Sequence, residues 1–264
     1  MKPLEIINQI AERSEVFTFE EFATLYGRTK TSAANALRLL VDKGIVDRVS
    51  TGAYVIRPIG RLGTDAAAED LSLAVGARFI GKSHRIAYAT ALGFHGLLTR
   101  PTNTIQVATT GSVEASKLGD RPFQSVTESP DTIDIGAIDA GHGARVSNVE
   151  RSLIDGSRRI DLTGGVSAIA DALHRLEPAE YDPSVIARYA DIIGIPGALR
   201  RLGSIAKAIG HDTLGDAAAQ ARRHRHQIPV DPHAPGRPIW VDPGFKVTWT
   251  QDSLDELGLE RPQE

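Results

Sequence analysis

The order of local signals in residues 3–57 constrains the fold of this chain more than any other feature. Apolar residues recur at helical spacing from Pro3 to Ser14, which predicts a first amphipathic helix. The segment Thr18–Glu21 has the pattern of a capping box, in which the Thr18 hydroxyl accepts from the amide of the residue three positions on. A second, short helix is therefore predicted to start there and to end at Gly27.

A third helix and a hairpin are predicted next. Thr29 can cap a helix that Gly44 ends, and the apolar residues between them recur with the period of a helix. Two β-rich runs, Ile45–Val49 and Ala53–Arg57, flank a turn that contains glycine, which predicts a hairpin. Three helices followed by a hairpin are the layout of a winged helix-turn-helix. The sequence thus predicts such a DNA-binding domain over residues 1–61.

The third helix carries the side chains expected to recognise DNA. If its apolar residues face the core, its polar residues face outward near the N-terminal end, where recognition helices touch base edges. Asparagine can pair bidentately with adenine and arginine with guanine, while the other basic residues suit phosphate. The predicted DNA-binding residues are Arg28, Lys30, Thr31, Ser32, Asn35, Arg38, Lys43, Arg48, Thr51 and Arg57.

Charge distribution agrees with this assignment. The whole chain has a formal net charge of −3. Residues 28–61 nevertheless hold seven basic residues against Asp42 and Asp47, so this segment is basic and the rest is acidic. A local basic excess is the electrostatic requirement for contact with a phosphate backbone.

The remaining residues, 62–264, are predicted to form a mixed α/β domain with a helical end, so the fold class is α+β. Ser147 and Glu150 have the spacing of a second capping box, and Arg151 and Asp155 are spaced to pair along one helix face. The pattern predicts helices over 84–98, 165–176, 183–193, 196–209 and 213–226, and strands over 104–109, 123–127, 132–138 and 245–250.

Three segments resemble the AbiEi family of antitoxins. The stretch from Leu37 to Val49, followed by Gly52-Ala53-Tyr54, is similar to the family's N-terminal domain. The stretch from Ile86 to Leu98 resembles a segment of that family that precedes a strand, here Ile105–Thr109. Val146–Asp155 resembles the family's "ERTLID" signature, with Ser152 in place of threonine. The likeness covers residues 5–250.

The resemblance implies an antitoxin that is also an autoregulating repressor. Its winged helix would bind inverted repeats in its own promoter, as a monomer or a dimer on double-stranded DNA. The domain over residues 62–264 would be the antitoxin and interaction domain, and it would counteract a cognate nucleotidyltransferase-type toxin. Whether the two proteins bind each other directly is left open by the resemblance.

No catalytic residue, metal site or cofactor is predicted. A metal-dependent nuclease needs carboxylates and a lysine around a divalent cation. Asp131 is the only hint of the first acidic element, and we interpret it as a turn residue. The segments that begin at Asp134 and Asp139 lack the lysine that should follow.

Amino-acid composition excludes several classes of site and of protein. The chain has no cysteine, which excludes disulfides and thiolate zinc sites. Without a signal-peptide pattern or a long apolar run, a cytoplasmic protein with no membrane contact is expected. Two alternatives remain: a ligand-responsive winged-helix repressor, and a metal-dependent nuclease with a DNA-reading domain.

Overall fold

The computed structural model describes residues 2–50, 52–57, 71–100, 102–113, 117–118, 121–220, 226–234 and 236–261. The predicted DNA contact Thr51 and the predicted domain boundary at residue 61 lie outside these residues. The chain divides into two compact units. The first comprises residues 1–86, 103–133 and 138–146, and the second comprises residues 87–102, 134–137 and 147–264. Helices and several sheets are both present, so the prediction of a mixed α+β fold is confirmed.

The first unit begins with three helices and three strands. They are α1 (Pro3–Ala11), β1 (Val16–Thr18), α2 (Phe19–Tyr26), α3 (Lys30–Asp42), β2 (Val46–Ser50) and β3 (Ala53–Ile56). The strands form an antiparallel sheet in the order β1-β3-β2. Apolar side chains from all three helices and from the first two strands form one buried cluster, which includes Ile7, Phe17, Phe22, Leu37 and Val46.

Local capping chemistry explains where these helices begin and end. The Thr18 hydroxyl accepts from the Glu21 amide at 3.1 Å, and the Thr29 hydroxyl accepts from the Ser32 amide at 3.2 Å. Each bond satisfies an amide that has no partner within its own helix. Helix α2 ends at Gly27, whose φ of 64° is in the left-handed region that glycine adopts without strain. The predicted starts of α2 and α3 are confirmed.

Helix α4 (Leu71–Arg78) packs on the three-stranded sheet. Leu73 and Ala77 form a buried cluster with Val16 and Val55 of the sheet. On another side of the helix, Gly76 is in close contact with a backbone turn: a Cβ built there would lie 2.1 Å from the carbonyl oxygen of His142. The N-terminal segment and α4 thus share a core, and α4 in turn requires a residue without a side chain at position 76.

Gly76→Ala is expected to lower the free energy of unfolding by about 1–3 kcal/mol, because the added methyl group meets backbone that cannot rotate away. Urea titration of the full chain measures this change. Gly111→Ala is the matched control, since nothing lies within 4 Å of a Cβ at that glycine of the same unit. Equal stability of the two variants would show that α4 does not pack closely against the turn.

A six-stranded mixed sheet completes the first unit. Its strands are β4 (His84–Ile86), β5 (Ile105–Thr109), β6 (Lys117–Leu118), β7 (Arg121–Thr127), β8 (Ala137–Gly141) and β9 (Ala144–Ser147), in the order β6-β7-β5-β4-β9-β8. Arg85 of β4 has no exposed surface, and its guanidinium binds Glu128 and the carbonyl oxygen of Ile133, the latter at 3.1 Å. The predicted strand over 132–138 is wrong, because residues 131–136 form turns and β8 begins at Ala137.

The predicted helix over 84–98 is also wrong at its start. Residues 84–86 form strand β4, and helix α5 (Tyr88–Phe94) follows. Tyr88 has a positive φ of 54°, which marks the change from strand to helix. A run of buried residues from His84 to Leu92 lacks the polar face that would distinguish a helix from a buried strand.

The second unit is mainly helical. Besides α5 it contains α6 (Val149–Arg158), α7 (Ile160–Thr163), α8 (Val166–Arg175), α9 (Pro183–Ile193), α10 (Pro196–Ala208), α11 (Asp212–Gln220) and α12 (Gln251–Asp255). A small sheet has the order β10-β12-β11, formed by β10 (Ile228–Pro229), β11 (Pro238–Asp242) and β12 (Val247–Thr250). The helices predicted over 165–176, 183–193 and 196–209 are confirmed. Helix α11 begins one residue before the helix predicted over 213–226, and residues 221–225 of that prediction lie outside the described residues. No helix among the described residues is both long and apolar enough to cross a bilayer.

Candidate nucleic-acid interface

Helix α3 presents one apolar and one polar face. Ala33, Leu37 and Leu40 are buried, at 0%, 1% and 3% exposure. Asn35 and Arg38 are exposed on the opposite face, so the outward direction predicted for them is confirmed. Thr31 and Lys30 are exposed near the start of the same helix, while Ser32 is half-buried beside the cap. The polar face is therefore continuous from the first turn of α3 to its middle.

Two of the predicted basic contacts, Arg28 and Lys30, interact with residues of α2. Lys30 forms an ion pair with Glu20 of α2, with 2.7 Å between the ammonium nitrogen and a carboxylate oxygen. Both side chains are more than half exposed, so water and salt screen this pair. The guanidinium carbon of Arg28 lies 5.4 Å from the ring centre of Tyr26. Both cations remain at the surface between α2 and α3, where a phosphate could displace these weak contacts.

The two predicted phosphate contacts of the β2–β3 hairpin, Arg48 and Arg57, have different surroundings. Arg48 is exposed on β2. Arg57, at the end of β3, donates to both carboxylate oxygens of Asp47, at 2.8 Å and 2.6 Å, and its side chain is only 20% exposed. Lys43 is exposed at the end of α3. The surface available to a ligand thus contains Arg48 and Lys43, whereas the guanidinium of Arg57 joins the two strands.

Arg48→Ala and Arg57→Ala are accordingly expected to have different effects. Removing Arg48 should weaken binding to every duplex and reduce the slope of log affinity against log salt by about 0.9, the loss of one phosphate contact. Removing Arg57 should instead lower the free energy of unfolding by about 1–2 kcal/mol, because Asp47 loses a bidentate partner. Salt-dependent DNA titrations and urea unfolding of both variants distinguish the two effects. A reduced slope with unchanged stability in Arg57→Ala would place that residue on the DNA.

The carboxylates considered for a nuclease lie at the surface. Asp131 and Asp134 are exposed within the turns over 131–136, so the interpretation of Asp131 as a turn residue is confirmed. Asp139 is exposed on β8, and its carboxylate accepts from the Gly141 amide at 3.0 Å. In the part of the chain that the structure describes, no three His, Asp or Glu side chains come close enough to hold a metal ion.

The capping box predicted at Ser147 and Glu150 is wrong. Strand β9 continues through Ser147, and helix α6 is capped one residue later, where the Asn148 side chain accepts from the Arg151 amide at 2.9 Å. Glu150 is not part of the cap: its carboxylate accepts from the Asp182 amide at 3.1 Å and so connects α6 to the start of α9.

The predicted pairing of Arg151 with Asp155 is confirmed. The Arg151 Nε lies 2.9 Å from a carboxylate oxygen of Asp155, and the two side chains are 0% and 1% exposed. Arg151 also donates to the carbonyl oxygen of Ile135 at 3.3 Å. A Cβ at Gly136, with its φ of 67°, would lie 2.7 Å from the Arg151 Cβ. These residues therefore form a packed structural pair beneath a tight turn.

Comparison with known proteins identifies a shared fold. No protein-family model matches the sequence, and no curated protein matches it. A solved structure does: the RV2827C protein from Mycobacterium tuberculosis is 16% identical in sequence, with a TM-score of 0.67. The match covers 96% of this chain and 92% of that one. The chain thus has the fold of that mycobacterial protein over nearly its full length.

Proposed function

We propose that this protein is a DNA-binding transcriptional repressor whose N-terminal segment is a winged helix-turn-helix. The observation that carries the proposal is the exposed polar face of α3 beside the β2–β3 hairpin. The element order α1-β1-α2-α3-β2-β3, with an antiparallel sheet, matches that of winged-helix domains. In such domains the third helix enters the major groove and the hairpin lies beside it. The boundary of the domain at residue 61 remains a prediction.

The chemistry of the polar face supports recognition of base edges. Asn35 can donate to and accept from adenine, and Arg38 can donate twice to the O6 and N7 atoms of guanine. The two residues are three positions apart, so they lie on neighbouring turns of the same helix face. Thr31 and Ser32 are nearer the helix start and suit either a base or a phosphate.

The basic residues around this face support contact with the DNA backbone. Arg28, Lys43 and Arg48 are exposed, and Lys30 is held only by a screened surface ion pair. Cations at the ends of the reading helix and on the hairpin fix the register of a protein on the duplex without reading sequence. Arg57 supports the hairpin itself. Thr51, which lies outside the described residues, stays a predicted contact.

We further propose that the protein is the antitoxin of a toxin–antitoxin pair and represses its own promoter. This proposal depends on the resemblance to AbiEi antitoxins. The domain over residues 62–264 would counteract a nucleotidyltransferase-type toxin. The packing of Asn148, Arg151 and Asp155 gives the signature segment Val146–Asp155 a structural role, which fits a non-catalytic domain.

A binding titration of the full chain tests the repressor proposal. The probes are a duplex from upstream of its own gene and a scrambled duplex, each over a salt series, with one magnesium lane to detect cleavage. Selective, salt-sensitive binding without cleavage is expected. Equal affinity for both duplexes would contradict sequence-specific repression, and magnesium-dependent cleavage would favour the nuclease alternative.

Growth of cells that express the cognate toxin tests the antitoxin proposal. Co-expression of this chain is expected to restore growth. The variant Asn35→Ala/Arg38→Ala should restore it equally well, because the DNA-reading face is not needed to neutralise a toxin under a separate promoter. Failure of both chains to restore growth would contradict the antitoxin assignment and leave the repressor proposal standing.

A further inference from the structure

We infer that Arg78 and Lys82 extend the DNA-binding surface beyond the winged helix and bind the phosphate backbone beside the hairpin. The inference depends on the proposed DNA-binding function. Neither residue lies in the segment whose sequence predicts DNA binding, and neither belongs to the basic excess over residues 28–61. Tertiary packing alone brings them to this surface.

The geometry that supports the inference is a cleft of about 330 Å³ in the first unit. One side of the cleft is formed by the start of α2 and by the hairpin residues Gly52 and Ala53. The other side is formed by Arg78, in the last turn of α4, together with Ile80 and Lys82. Two cations thus lie across a cleft from the hairpin that is proposed to lie on DNA.

The hairpin and the start of α2 are joined directly. The Phe19 amide donates to the carbonyl oxygen of Gly52 at 2.8 Å, so the hairpin turn and the first turn of α2 form one surface. Helix α4 is fixed against the same sheet through Leu73 and Ala77. The positions of Arg78 and Lys82 relative to the hairpin are therefore determined by a shared core.

The charge at this cleft suits an anionic ligand. Lys82 is exposed, and among the described residues neither its ammonium group nor the guanidinium of Arg78 has an ion-pair partner. Arg78 is half-buried, and its guanidinium carbon lies 5.9 Å from the ring centre of Phe79. Glu20 also lines the cleft, so its charged lining consists of two cations and one carboxylate, and that carboxylate forms a surface ion pair with Lys30 at 2.7 Å.

Continuity with the proposed interface identifies the ligand as a DNA phosphate backbone. Cations beside a wing contact backbone rather than base edges, because the wing lies along the duplex next to the reading helix. An acidic protein surface has the same charge and is the competing occupant. Only the DNA backbone predicts an equal loss of affinity on any duplex and a smaller salt dependence.

The test compares full-length Arg78→Gln/Lys82→Gln with the wild type on the upstream and scrambled duplexes between about 50 and 200 mM salt. The loss of two phosphate contacts should reduce the slope of log affinity against log salt by about 1.8. Over that salt range, the affinity of the variant should therefore fall by a factor about 12-fold smaller than the affinity of the wild type. Lys117→Gln is the matched control, because Lys117 is exposed on β6 of the same unit and does not line the cleft.

The single variant Lys82→Gln is included because the double variant also removes the contact of Arg78 with Phe79, which could affect folding. Lys82 is exposed, so its replacement should leave the fold intact. It should reduce the slope by about 0.9 on both duplexes. Slopes equal to those of Lys117→Gln, with wild-type binding intact, would overturn the inference and leave the proposed function standing. Salt-independent or absent binding by the wild type would overturn both.

Discussion

Arg151→Ala is expected to lower the free energy of unfolding by about 3–5 kcal/mol, because it removes the buried guanidinium that pairs with the Asp155 carboxylate. Both side chains are almost fully buried, so water cannot replace the lost partner. The variant also removes a donor to the carbonyl oxygen of Ile135. Urea unfolding followed by circular dichroism measures the change.

Arg159→Ala is the matched control in the same unit. Arg159 and Asp161 form an ion pair at 2.7 Å, but their side chains are 35% and 27% exposed, so a loss of about 0–1 kcal/mol in the free energy of unfolding is expected from Arg159→Ala.

The hydrogen bond from Arg159 lowers the pKa of Asp161 below its ordinary value. The small stabilisation from this pair is therefore present at neutral pH and is lost as the pH falls through the lowered pKa.

A third variant tests whether the buried charge of Asp155 causes the loss. Arg151→Met/Asp155→Leu removes both charges and keeps most of the volume, so it should recover most of the stability lost in Arg151→Ala. If Arg151→Ala cost no more than Arg159→Ala, the pair would not be buried as the structure has it. If the double variant were as unstable as Arg151→Ala, the buried charge of Asp155 would not be the cause of the loss.

Much of the N-terminal segment could be predicted from sequence because its signals are local. The caps Thr18 and Thr29 act on amides three residues away, and Gly27 ends a helix through its own backbone conformation. The exposed positions of Asn35 and Arg38 follow from helical periodicity once the buried face is recognised.

Elements whose conformation depends on distant residues were not predictable in this way. Residues 84–86 form a strand because β5 and β9 lie on either side, which an apolar run cannot reveal. The cap of α6 is Asn148 rather than Ser147, because Ser147 still belongs to strand β9 of the sheet. Pairing of Arg57 with Asp47 likewise required the register of the hairpin, which sets the partners across the two strands.

The candidate site also combines residues that local sequence patterns predict with residues that only tertiary packing brings there. Helix α3, which we propose reads DNA, was predicted from periodicity, whereas Arg78 and Lys82 lie far from it in sequence and reach the hairpin only through the packing of α4. No pattern within residues 71–86 distinguishes these two cations from an ordinary solvated helix end. Tertiary structure was needed to find them.

Asn35→Ala/Arg38→Ala is expected to remove most of the preference for the upstream duplex. Each base contact contributes about 1–3 kcal/mol of discrimination, so the double variant should lose about 2–6 kcal/mol of specificity if the two contributions add. Both side chains are exposed on α3, and their removal leaves the buried face of the helix intact. Titration against the upstream and scrambled duplexes at one salt concentration gives the ratio of the two affinities.

Arg48→Ala is the comparison that makes this result specific. It also removes a basic side chain from the proposed interface, but from the hairpin, where a phosphate contact is expected. It should weaken binding to both duplexes by the same factor and leave their ratio unchanged. If both variants left the ratio unchanged, α3 would not read bases and another face of the first unit would have to recognise DNA. A ratio lost in Asn35→Ala/Arg38→Ala and kept in Arg48→Ala would assign sequence recognition to α3, because phosphate contacts by themselves carry no sequence information.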